Sequence, residues 1–331
     1  MATLNATVTS LLDHAKRMDP DGKIAPIVEL LSQRNKIIAD IPFKEGNLPT
    51  GHQFTVRTGL PALTWRKFNE GIDPSKSHTD QFTETCGMLA GLCKVDVELA
   101  KLNGNEAAFR MSEEASFVSA LANEVEGGMF YHSTKATPEK FMGLAPRYDS
   151  TTGLTGSQII LADASPVGSD QTSILLVKWD TGGGGAYGIF PKGSTAGFER
   201  TDMGKQLTTE TGTKQYLAWV TQYMWKLGLV VEDFRSVVRV ANVDNSQLVA
   251  TGSVIQTAMI KAYNQMYQPG QGNCVWYMNR KVATFLHLQA VNGTSNSTLS
   301  IKNYGGESVV EFLGHPIRVT DGLLNTEAIV T

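Results

Sequence analysis

Cysteine is scarce in this chain: 331 residues carry three, Cys86, Cys93 and Cys274. An odd number with no CxxC or zinc-ribbon spacing excludes a disulfide framework and makes a reducing cytoplasm the simplest setting. Charge is scarce too. Asp, Glu, Lys and Arg make up 18%, against roughly 25% in ordinary soluble domains. The 29 Lys and Arg face 32 Asp and Glu, a net charge of −3, which excludes the large cationic surface that nucleic acid or anionic lipid needs. No apolar run approaches the ~20 residues that cross a bilayer. The N-terminal stretch MATLNATVTSLLDHAKRMDPDGK has no apolar core behind a positive charge and does not read as a secretory signal. The sequons at Asn5, Asn292 and Asn296 are then chance. Glycine is plentiful, with 32 residues, above the usual share of roughly 7%. The composition describes an ordered, turn-rich, soluble protein long enough for about two structural units.

Residues Leu4 to Arg17 read as a short amphipathic helix. A second runs through IAPIVELLSQRNKIIADI, with Ile27, Leu30, Leu31, Ile37, Ile38 and Ile41 on one stripe and Pro42 closing it. From Phe43 the pattern turns extended. Alternation in His52–Arg57 and Ala62–Phe68, turn residues Asn69, Gly71, Asp73 and Pro74, and a long return from Gln81 to Leu99 predict an elongated β-ribbon. The ribbon mixes Arg57, Arg66, Lys67 and Lys76 with Glu70, Asp73, Asp80 and Glu84, and carries Phe54, Trp65, Phe68 and Phe82. Two strands alone are marginal, so an aromatic ribbon needs a surface from elsewhere.

Asn105 to Phe130 is the clearest helix, with an expected apolar stripe of Met111, Ala115, Val118, Ala122, Val125 and Met129. Pro138 opens a turn-like segment, PEKFMGLAPRY. The Gly-, Ser- and Thr-rich stretch Thr151 to Glu210 surrounds one strong strand, Ser173–Trp179, and Gly182–Gly185 reads as a hairpin tip or a loop. KQYLAWVTQYMWKLGLVVEDFRSVVRVANVD reads as paired strands divided near Gly228. A helix over Ser246–Tyr267, a strand at Cys274–Met278, a helix over Asn279–Ala290 capped by Asn279, and a strand pair around Gly314 complete the chain. There is no internal repeat. The fold class is α+β, without regular βαβ alternation.

No catalytic constellation emerges. The tetraglycine run leads into the strand-like AYGIF rather than a helix N-terminus, which a phosphate cradle requires. His14, His52, His78, His132, His287 and His315 are scattered, with no HExxH. His78 and Asp80 fit a solvated loop, since no GxSxG accompanies them, and His287 reads as a packed core residue. Cys86 and Cys93 lie seven apart on the return strand, on opposite faces, and cannot share a metal. Glu113–Glu114 and Glu124–Glu126 read as the long helix's solvent face or as partners for a neighbour's Arg or Lys. Tyr216, Trp219, Tyr223 and Trp225 have only Lys214 and Lys226 beside them, which favours a buried β-core over base stacking. No catalytic residue, cofactor or metal is expected. The competing reading is a small-ligand-binding or enzymatic cytoplasmic domain that uses the Gly182–Gly185 loop.

ELLSQRNKIIADIPF (Glu29–Phe43), TVRTGLPALTWRKFNEGIDPSKS (Thr55–Ser77) and KVDVEL (Lys94–Leu99) resemble the N-terminal part of major capsid proteins of tailed bacteriophages, with the closest likeness to short-tailed phages of the Hong Kong 97-type fold. FMGLAPRY (Phe141–Tyr148) and KLGLVVEDFRSVVRVANVD (Lys226–Asp244) are similar to later segments of that family. The resemblance implies an N-terminal helical arm over 1–42, an extended β-ribbon loop over 43–99 and a peripheral domain with a spine helix over 100–170. A mainly axial domain over 171–290 and C-terminal strands over 291–331 returning to the peripheral domain follow, with strand order open to permutation. It implies a structural subunit that self-assembles into hexamers and pentamers of an icosahedral head around double-stranded DNA, without sequence-specific binding. Scaffold, cement and portal proteins are the further partners it allows. Its place is the virion capsid, after synthesis in the host bacterial cytoplasm. The contact residues expected between subunits are Arg57, Trp65, Arg66, Phe68, Glu70, Asp73 and Lys76. No residue licenses a covalent crosslink.

Overall fold

The computed structural model describes residues 36–102, 105–163, 166, 168–182, 184–209, 215–248, 252–270, 272–291, 299–304 and 307–331. The helix expected at Leu4–Arg17, most of the second helix, Gly183, Lys214 and the three sequon asparagines lie outside them. The second helix enters as α1 (Ile37–Asp40), whose Ile37, with the following Ile41, is buried in the main core.

Strands β1 (Phe43–Glu45), β2 (Gly51–Gly59), β3 (His78–Thr85) and β4 (Gly87–Asp96) precede a short helix α2 (Val97–Lys101) and the long helix α3 (Glu106–Tyr131). Then come β5 (Ile159–Leu161), β6 (Gln171–Trp179), β7 (Ala186–Phe190), β8 (Phe198–Thr209), β9 (Gln215–Val231), β10 (Val237–Asp244), α4 (Gly252–Gln265), β11 (Asn273–Met278), α5 (Arg280–Val291), β12 (Leu299–Tyr304), β13 (Glu307–Phe312) and β14 (His315–Val319). Strand neighbours are not sequential: β12-β13-β14-β11-β6-β7-β9-β4 form one path, β10 pairs with β5 and β6, and β8 lies along β9.

Strand β6 is buried on both faces, so its sequence QTSILLVKW reads as a continuous apolar run rather than an alternation. Ile174 and Leu176 join Val238, Val240, Trp276 and Met278 beneath α4 and α5. Leu175, Val177 and Trp179 face the other way, into a core shared with Val125, Met129 and Phe130 of α3. One sheet therefore separates two helical layers. Helix α5 is capped as expected, the Val282 N–H donating to Asn279 Oδ1 at 2.9 Å. The β13–β14 turn uses two positive-φ residues, Leu313 (50°) and Gly314 (81°), the arrangement a tight hairpin with native twist needs.

Four expectations are corrected. The return of the ribbon is not one strand: it breaks at Cys86, after which β4 leaves β3 and pairs with β9 from Gly87–Leu227 to Asp96–Ala218. The strand pair expected to divide at Gly228 is a single strand, β9, that changes partner there, from β4 to β7. A Cβ on Gly228 would stand 2.8 Å from the Thr85 carbonyl oxygen, so the glycine marks a close crossing rather than a turn. Gly182 and Gly184 sit in a turn joining β6 to β7, which meet through a parallel bridge (Trp179–Ala186), so of the two readings the loop holds and the hairpin tip does not, and the expected strand follows it. Finally, His287 is exposed on α5.

The stripe on α3 also differs. Its second half packs through Leu121, Val125, Met129 and Phe130, but Met111, Ala115 and Val118 in the first half are exposed. The face turned to the β8-β9-β4 sheet carries Phe109, Glu114 and Phe117 instead. Phe117 stacks on Tyr223, 5.8 Å between centroids. Glu114 accepts from Arg200 (2.6 Å), Thr221 (2.9 Å) and Tyr223 (3.1 Å). Burial pushes that carboxyl up, and these hydrogen bonds outweigh it and hold it below the usual carboxylate range. Glu126, expected on the solvent face, is wholly buried.

Residues 320–331 strap this body together. Glu327 accepts from Tyr131, Ser173 and, at 2.7 Å, the buried Arg239 guanidinium, which also donates to the Tyr148 carbonyl at 2.7 Å. Asn242 and Val330 exchange two hydrogen bonds of 2.9 Å each, and the Thr151 N–H donates to the Thr331 carbonyl.

Candidate assembly surface

The ribbon is built from β2 and β3 in antiparallel register, Gly51 opposite Thr85 through Arg57 opposite Thr79, with an irregularity before Gly59–His78. Phe54 faces Phe82 directly, centroids 6.0 Å apart, the kind of cross-strand aromatic pair that stabilises an isolated ladder. At the root, Asn47 continues the ladder with its side chain: its Nδ2 donates to the Gln53 carbonyl and its Oδ1 accepts from the Gln53 N–H, both at 2.7 Å. Phe54 and Cys86 pack against Tyr187, Ile189 and Val230, and burial pushes the Cys86 thiol up to about 11, which disfavours the reactive thiolate.

One guanidinium fixes the root to the body. Arg147 forks onto the Glu84 carboxylate of β3, its Nη2 reaching Oε2 at 2.8 Å, and donates to the carbonyls of Gly143, Met142 and Leu229. The planar fork ties the turn after α3, strand β9 and the ribbon into one joint. The turn at FMGLAPRY was legible in the sequence; that its arginine would meet Glu84 was not.

Beyond Gly59 the ribbon leaves the body. Every residue from Leu60 to Lys76 is exposed, with Trp65 at 103% and Phe68 at 98% of their full surface. The expected strand over Ala62–Phe68 is absent: the tip is an irregular loop, shaped by Ser75 Oγ donating to the Ala62 carbonyl (2.7 Å) and by Asn69 at φ 65°. Of the expected contact residues, Arg57 lies on β2 and Trp65, Arg66, Phe68, Glu70, Asp73 and Lys76 on the tip, all exposed. The fold gathers these seven on one projection, whereas described long-range ion pairs such as Arg110–Asp202 and Arg200–Glu114 lie on the body. Leu60, Leu63, Trp65, Phe68 and Ile72 are all exposed large apolar side chains on this one loop.

Other chemistry is sparse. Among the described residues no three His, Cys, Asp or Glu side chains converge as metal ligands, and no helix is long and apolar enough to cross a membrane. Tyr223 and Trp225 are buried in the sheet, as the β-core reading of that aromatic cluster expects, whereas Tyr216 and Trp219 are only partly buried. His78 and Asp80 sit exposed on β3.

The sequence pattern of the family described as major capsid protein GP7 matches residues 19–331. A chain of the near-atomic cryo-EM structure of bacteriophage Epsilon15 is similar over 100% of both chains, with 36% identity and a TM-score of 0.78. The bacteriophage JBD30 capsid is similar over 89% of this chain and 93% of that one, at 9% identity and a TM-score of 0.47. No curated protein matches.

Proposed function

The chain belongs to the major capsid protein GP7 family, and from that premise we propose that its ribbon is the element by which each subunit grips the next in an icosahedral phage head. The protein is a structural subunit of a phage capsid shell, with the Hong Kong 97-type fold. The observation that carries the finer reading is the tip: large rings, charges of both signs and no covering surface among the described residues. Interfaces draw most of their binding energy from a few such anchors, and a closed symmetric array repeats each modest contact many times.

On this reading hexamers and pentamers form through the ribbon residues Arg57, Trp65, Arg66, Phe68, Glu70, Asp73 and Lys76. Strand β4 pairs with β9 throughout, so we assign it with α3, β8 and β9 to the peripheral unit and end the ribbon at Cys86 rather than at 99. The sheet around β6, β10 and β11 is the axial unit, and the two units interleave along the chain. A net charge of −3 suits a container for DNA, because each added cationic contact to phosphate would raise affinity for the packaged genome. Scaffold, cement and portal proteins and assembly in the bacterial cytoplasm belong to the same proposal.

The test is expression of the chain alone, with and without Arg57–Thr79, joining Val56 to Asp80 across a short turn. Electron microscopy and sedimentation should show megadalton closed particles for the intact chain and soluble small species for the deletion. Normal shells from the deleted chain would overturn the role of the ribbon.

A further inference from the structure

We propose that Glu126 and the turn 320–324 form a proton-operated latch: an uncharged Glu126 holds the C-terminal strap closed on α3, and an ionised one lets that turn open. The latch lies in the body of the subunit and is independent of how subunits meet.

Glu126 is wholly buried, and so is Thr320, the first residue of the strap. Thr320 Oγ1 donates to Glu126 Oε1 and accepts the Gly322 N–H at 3.0 Å. The one hydroxyl proton is therefore committed to Oε1, and among the described residues no donor reaches the buried Oε2. A buried carboxylate oxygen without a donor is costly, and a proton on it removes the charge that makes it so. The strap lies directly on this group. A Cβ on Gly322 would stand 2.8 Å from Glu126 Cγ and 3.3 Å from the Phe130 ring, so the close approach needs glycine.

The charges around Glu126 offer it no counterion. Asp321 of the strap bears on it and opposes ionisation; its own partner is Arg280 of α5, at 2.6 Å. On α3, Glu124 is exposed and is engaged by Lys140 at 2.9 Å and His132 at 3.1 Å. At the end of α3, Tyr131 donates to Glu327, which Arg239 of β10 holds at 2.7 Å. Each cation of these clusters is thus engaged by another carboxylate. Burial raises the Glu126 carboxyl from 4.5 to about 7, with Asp321 adding to the rise and the Thr320 hydrogen bond opposing it.

The two ends of the strap are held differently. Residues 327–331 rest on Arg239 and Asn242 and on the Thr151 N–H, contacts that do not involve Glu126. The turn 320–324 is held by the Thr320 N–H on the Met278 carbonyl, by the Leu324 N–H on Tyr131 Oη, both at 3.0 Å, and by the buried Leu323. Opening this turn brings water to Glu126, which then titrates near 4.5, its ordinary value. Opening therefore becomes easier as pH rises from 4.5 to 7 and gains little above that, the sign required of a group that binds its proton more tightly when closed.

The test is hydrogen exchange of the full-length, unassembled subunit, corrected for the intrinsic rate at each pH. Protection of 320–324 should fall about fortyfold between pH 5 and 7 and by no more than about twofold beyond. Glu126→Gln should flatten this profile, while protection of β6 and of 327–331 should not follow it in the natural chain. A flat profile at 320–324 in the natural chain, a retained one in Glu126→Gln, or an equal fall in β6 and 327–331 would overturn the latch.

Discussion

Glu126 holds the least comfortable charge in the molecule. Its Oε1 accepts from Thr320 Oγ1, while its Oε2 is buried with no donor facing it. Burial first, and then the nearby Asp321 charge, push its carboxyl from 4.5 up to about 7 against the Thr320 hydrogen bond. The folded state therefore binds this proton more tightly than the unfolded chain. The stability it contributes is complete below pH 4.5, falls as pH rises toward 7, and is gone above that, a loss of about 3 kcal/mol at most. Thermal melts of the unassembled subunit between pH 5 and 8 should show this decline, and Glu126→Gln should flatten it. Arg147 is the opposite case, a charge held by a carboxylate and three backbone carbonyls. Arg147→Lys keeps the charge but loses the fork, and should cost about 1–3 kcal/mol. Hydrogen exchange should rise at β2 and β3 while α4 and α5 stay protected.

At the scale of the element, β9 is the strand that changes partner, from β4 to β7, and Gly228 stands at the change. Gly228→Ala would press a methyl group into the Thr85 carbonyl and should destabilise by about 1–3 kcal/mol, measured by urea unfolding. The glycine itself was visible in the sequence, but its role was not, because a close crossing and a turn call for the same residue. Elements with a local signature were legible: the Asn279 cap, the turn at Gly314 and the buried run of β6 all appear where their chemistry requires. Strand β8 was not, since nearly all of its residues are exposed and an edge strand without a buried face shows no alternation. The front half of α3 misled for a related reason. Its sheet-facing side is held by Glu114 and Phe117, while the apolar Met111 and Val118 point outward, so periodicity alone picked the wrong face. The ribbon residues were legible as a set because they are contiguous. Arg147–Glu84 was not, being 63 residues apart.

For the whole molecule, the segment 320–331 does what a disulfide does in a small secreted domain: it joins the end of the chain to α3, β6 and β10 at once. Removing Asn325–Thr331 would leave the Arg239 guanidinium buried without its carboxylate, a change that typically costs 3–5 kcal/mol. The truncated subunit should unfold at markedly lower urea and be cut by protease in the body, whereas removal of the ribbon tip should do neither. The stability of the body and the exposure of the ribbon tip are then separable properties of the chain.

The exposure of the tip also gives the protein an optical readout. Of five tryptophans, Trp179, Trp225 and Trp276 are buried and Trp219 is partly so, while Trp65 stands fully in water. Emission from the free subunit should carry a long-wavelength component that iodide quenches, and that component should shift to the blue and escape quenching as particles close. Trp65→Phe should abolish the change without touching the other four. Shell closure could thus be followed in real time in a cuvette, with no label added.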